Sequence, residues 1–66
     1  MTVIVNGEPY RSDGPMTLAA AVALLTSAPT GVAAAVNGDV IRRPAWASTQ
    51  LADGDQVEVV TAVQGG

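Results

Sequence analysis

The chain opens on a β-branched run, Thr2-Val3-Ile4-Val5, that stops at Asn6-Gly7. Both turn residues accept the positive φ of a type I′ turn, so the pattern predicts a hairpin with strands over residues 2–5 and 8–11. Pro9 has no N–H to give to a ladder, which makes the returning strand Glu8 to Arg11 short or places it at an edge. Ser12-Asp13-Gly14-Pro15 reads as a loop, and Thr17 as the N-cap of a helix beginning at Leu18. Leu18, Ala21, Val22 and Leu25 then share one face at helical spacing. Ser27 to Gly31, with Pro29 inside, ends that helix.

Val32 to Val36 is a second apolar run, closed by a second Asn-Gly pair at Asn37-Gly38, with a short strand expected around Val40-Ile41. Arg42-Arg43-Pro44 leads into a turn or single helical turn carrying Trp46. Asp53-Gly54-Asp55 makes a last tight turn before a strand expected over Gln56 to Val63. The Val-Asn-Gly-acid stretches at residues 5–8 and 36–39 read as two hairpins with the same turn chemistry rather than as an internal repeat.

The first and last strands are not hairpin partners, yet both are rich in β-branched residues. Laid side by side, parallel and central under the helix, they bury the most apolar side chain. The expected fold class is therefore α+β in a β-grasp arrangement, a mixed sheet of four to five strands packed on one main helix. Alternation along the last strand aims Val57 and Val59 at the helix and Glu58, Val60 and Ala62 outward. Residues 1–63 read as a single domain and residues 64–66 as a flexible tail.

Composition narrows the chemistry. The 66 residues include three Arg, no Lys, six Asp and Glu, no His and no Cys. No thiolate or imidazole metal site, Cys nucleophile, Ser-His pair or disulfide framework is possible with that set. Three cations are too few for a surface that tracks nucleic-acid phosphates or for a polybasic membrane patch. Val, Leu and Ile make up about a quarter of the chain, above the roughly 20% below which disorder is expected. Residues 1–5 lack a basic n-region, and Ala19 to Leu25 is too short to cross a bilayer, so a cytoplasmic protein is expected. Any chemistry here uses this chain as carrier or substrate, with the catalyst supplied by another protein.

The sequence ends Val63-Gln64-Gly65-Gly66. Three extended residues reach roughly 10 Å past a domain, and glycines without a Cβ lie close against the walls of a narrow tunnel. A free α-carboxyl is ionised at neutral pH and resists nucleophiles. Adenylation converts it to a mixed anhydride with AMP, and a sulfur nucleophile can displace the AMP to leave a thiocarboxylate.

Val5-Asn6-Gly7-Glu8, Ala35-Val36-Asn37-Gly38, Trp46, the Leu51-x-x-Gly54-Asp55 spacing, Gln56 to Val60 and the ending Thr61 to Gly66 together resemble the ThiS family of sulfur carriers in thiamin biosynthesis. The resemblance spans nearly the whole chain. It implies a ubiquitin-like β-grasp fold, with Gly66 as the modified residue and Gly65 and Gln64 as a threaded tail. It also implies partners: an E1-like adenylyltransferase of the ThiF type that uses ATP and Mg²⁺, a thiazole synthase of the ThiG type, and a cysteine desulfurase or other sulfur donor. No cofactor is expected on this chain itself. The small subunit of molybdopterin synthase shares the fold and the ending, but is usually longer and often carries aromatic and Pro-Pro residues before its glycines; Val59 to Val63 has neither. A β-grasp interaction module with an inert tail is the alternative of a different class.

Other residues carry weaker signals. Val60 and Ala62 with Val40, beside Glu58, form a candidate partner-docking patch, against the ordinary reading of exposed valines. Asp53, Asp55 and Glu58 are either a solvated turn or a complement to a basic rim on a partner. Arg42 and Arg43 read as solubilising charges rather than a phosphate contact, and Trp46 as a plug for the core.

Overall fold

The structure is a computed structural model that describes residues 1–26 and 31–61. Its elements in chain order are β1 (Thr2–Val5), β2 (Glu8–Arg11), α1 (Leu18–Ala23), β3 (Val32–Val36), β4 (Asp39–Ile41), a 3₁₀ helix (Arg43–Ser48) and β5 (Gln56–Thr61). They form one five-stranded sheet in the order β2-β1-β5-β3-β4. β5 runs parallel to β1, with Val5 opposite Val57, and antiparallel to β3, with Ala34 opposite Val59. The strand furthest along the chain thus occupies the middle of the sheet. The Pro-bearing β2 lies at one edge and the three-residue β4 at the other, where missing ladder partners cost least.

Both hairpins close as the Asn-Gly pairs require. Asn6 and Gly7 have φ of 52° and 82°, and Asn37 and Gly38 have 51° and 88°. That is the left-handed region in which Gly, and Asn among residues with a side chain, is tolerated. Thr17 caps α1 through its Oγ1, which accepts the Ala20 N–H at 3.2 Å. The Leu18 N–H, left free by the helix, donates to the Thr49 carbonyl at 2.9 Å.

One face of the sheet and the buried stripe of α1 make the core. Val3, Val5, Val57 and Val59 meet Leu18, Ala21 and Val22, with Ala34, Leu51 and Trp46 completing the cluster. Trp46 is buried within this cluster, and its indole Nε1–H donates to the Ile41 carbonyl at 2.8 Å, so the polar atom of a buried aromatic is satisfied.

The helix departs from the expected stripe at its end. α1 stops at Ala23, Leu24 caps it, and Leu25 is 40% exposed rather than buried beside Val22. The last amides turn to carbonyls three residues back: Leu24 N–H donates to Ala21 and Leu25 N–H to Val22. This tighter winding rotates Leu25 off the apolar face. The proposed stop at Ser27 to Gly31, including Pro29, lies mostly outside the described residues, as do Ala62, Val63 and the 64–66 tail.

Candidate functional site

β5 is the part of the fold that leads to the C-terminal residues, and its backbone is held from both sides. Toward β3 the pairing continues through Val60 opposite Ala33 and Thr61 opposite Val32. Toward β1 the Ile4 and Asn6 amides donate to the carbonyls of Asp55 and Val57, each at 2.9 Å. Beyond that, β1 has ended, and the Asn6 side chain takes over. Its Oδ1 accepts the Val59 N–H at 2.8 Å and its Nδ2 donates to the Val59 carbonyl at 3.1 Å.

At the start of β5, Asn37 plays a matching part. Its Oδ1 accepts the Gln56 N–H at 3.0 Å, and its Nδ2 donates to Asp55 Oδ1 at 3.0 Å. Sequence reasoning read both asparagines as turn formers only. Nothing local could have revealed these bonds, because the partners lie far along the chain.

The alternation expected on β5 is present. Val57 and Val59 are buried under α1, whereas Glu58 and Val60 face away from it. Residues opposite one another on antiparallel strands share a face, so Glu58, Ala35 and Val40 form a row across three strands, with Val60 and Ala33 as the next row. Ile4 on β1 belongs to the same uncovered face. Val40 and Val60, at 75% and 63% exposure, are its most open large apolar groups. The structure thus places Val60, Val40 and Glu58 on one face, with β3 between Val40 and the other two. Ala62, Gln64, Gly65 and Gly66 lie outside the described residues.

The acidic cluster separates into two kinds of group. Asp53 accepts the Thr2 N–H at 2.7 Å, and Asp55 accepts the Ala52 N–H at 2.7 Å as well as the Asn37 amide. These carboxylates shape the turn at Gly54, whose φ is 85°. Glu58 alone of the three sits on the open face of the sheet. Arg42 and Arg43 are exposed where the 3₁₀ helix begins, Arg43 beside a groove of about 340 Å³ floored by Val22, Ala23, Trp46 and Ala47. No helix among the described residues is long and apolar enough to cross a membrane.

A mixed five-stranded sheet with a parallel central pair, one helix across one face and the last strand running out from its middle defines a ubiquitin-like β-grasp protein. The ThiS family model matches residues 3–66, and the chain belongs to that family, the sulfur carriers of thiamine biosynthesis. Its fold is similar to the crystal structure of the thiamine biosynthesis protein ThiS from Geobacter metallireducens. The two are 33% identical, the alignment covers 100% of both chains, and the TM-score is 0.77. The solution NMR structure of a thiamine biosynthesis protein from the same organism is also 33% identical, with a TM-score of 0.77, over 100% of this chain and 88% of that one. No curated protein matches at a significant level. Both of these solved structures are thiamine biosynthesis proteins.

Proposed function

We propose that this chain carries sulfur as a thiocarboxylate on Gly66 and delivers it to a thiazole synthase of the ThiG type. An E1-like enzyme of the ThiF type, using ATP and Mg²⁺, joins the Gly66 carboxylate to AMP and releases pyrophosphate. Sulfide then displaces AMP to leave –C(O)S⁻. A persulfide from a cysteine desulfurase or another donor gives an acyl disulfide instead, which a second thiol cleaves to the same thiocarboxylate with formation of a disulfide. Gly65 and Gln64 thread the partner's tunnel, and the chain contributes no catalytic group of its own.

The observation that carries this reading is the position of β5. A strand held on both sides at the centre of a sheet gives the residues after Thr61 a fixed point of departure. The open face beside that strand, with Val60, Val40 and Glu58, is the surface that docks on the partners; two exposed valines suit an apolar contact and Glu58 a cationic one.

Incubation with the activating enzyme, ATP and a sulfur source, followed by intact mass measurement, tests the proposal. A carrier gains the mass of one oxygen-to-sulfur exchange at its C-terminus; an inert interaction module stays unchanged and would overturn the reading. Adding one residue after Gly66 moves the reacting carbon out of register and is expected to abolish ATP–pyrophosphate exchange with the fold intact.

A further inference from the structure

We infer that Asn6 is a positioning residue for the acyl chemistry proposed above, on which this inference rests: its carboxamide aims the outgoing strand at the partner's active site. β1 ends at Val5, and the chain turns back through Asn6 and Gly7 at positive φ. The N–H and carbonyl of Val59 therefore face a position where β1 has no further backbone to offer. Val59 is 7% exposed, so leaving both groups unpaired there would be costly. The Asn6 carboxamide supplies an acceptor and a donor at 2.8 and 3.1 Å, acting as one more residue of the parallel ladder. Its side chain thus extends the two-sided grip on β5 from Val57 to Val59, nearer the tail by two residues.

Asn37 provides a comparison within the same molecule. It has the same turn, nearly the same φ, and a carboxamide bonded to the β5 segment, but at Asp55 and Gln56, the end away from the tail. If both asparagines only stabilised the fold, their loss would affect the carrier alike. If Asn6 aims the tail, its loss affects turnover after docking, because the row of Glu58, Ala35 and Val40 does not involve it.

Asn6→Asp keeps the tolerated φ and one acceptor, but turns an oxygen toward the Val59 carbonyl in place of the donor. Asn37→Asp is the matched control. Carrier concentration is varied against the activating enzyme at saturating ATP, and amide hydrogen exchange is followed at Val57 and Val59. For Asn6→Asp we expect kcat about tenfold lower with KM within about twofold; faster exchange at Val59, with unchanged exchange at Val57, is expected of Asn6→Gly, which also removes the acceptor of the Val59 N–H. Asn37→Asp leaves kcat unchanged for its folded fraction. Asn6→Gly, which keeps the φ and removes both bonds, gives the same decision should the aspartate variant fail to fold. An unchanged kcat, an equal loss in Asn37→Asp, or unfolding of both Asn6 variants would overturn the inference. Failure of the wild-type chain to be adenylated would instead overturn the functional reading, and the inference with it.

Discussion

On the face of the sheet turned toward α1, Val3, Val5, Val57 and Val59 are at most 7% exposed; on the opposite face Val40 and Val60 stand at 75% and 63%. The same residue type occupies both sides of a single layer, and among the described residues only one side has a helix. The covered side supplies the cohesion of a domain too small to bury two cores. The exposed valines of the open side need no role in folding, since scattered exposed apolar residues are ordinary in a stable protein. What sets the open side apart is its location along β5, where apolar groups and Glu58 adjoin the route to the tail. On the proposed function, stability and recognition fall on opposite sides of the same strand.

The contrast can be broken from either side. Leu18 is fully buried against the covered face, and Leu18→Ala is expected to cost about 2–5 kcal/mol. Urea titration should find that variant largely unfolded before denaturant is added, given the small stability of domains in this size class. Thr17→Ala removes the cap of the helix that does the covering. A loss of about 1 kcal/mol in the same titration is expected. Val60→Asp acts on the other face and should shift stability by no more than about 0.5 kcal/mol. It should nevertheless weaken binding to the activating enzyme at least about tenfold by calorimetry, through desolvation of a charge in an apolar contact. Unchanged affinity would remove the open face from the docking surface.

Much of this was legible along the chain. Asn-Gly pairs fix their turns by backbone sterics, so both hairpins could be read directly. The Val and Ile content of residues 2–5 and 56–60 called for central burial, and alternation then sorted Val57 and Val59 from Glu58 and Val60. Leu25 was not legible, because periodicity does not register the shift to three-residue winding at the end of α1. The carboxamide bonds of Asn6 and Asn37 to β5 were hidden for a different reason. They depend on which distant strand comes to lie beside each turn, and turn propensity carries no information about that. The site residues most specific in sequence, Gly65 and Gly66, rest on chemistry and family membership rather than on described geometry.

The central strand is also synthesised after every other described element. While a ribosome still holds residues 56–61, the emerged chain carries the residues of both hairpins and of α1, but the slot between the hairpins has no strand to fill it. Closure of that slot couples Ile4 to Gln56, 52 residues further along the chain, a pairing that ranks among the slow ones. Products of premature termination therefore lack the piece that joins the halves.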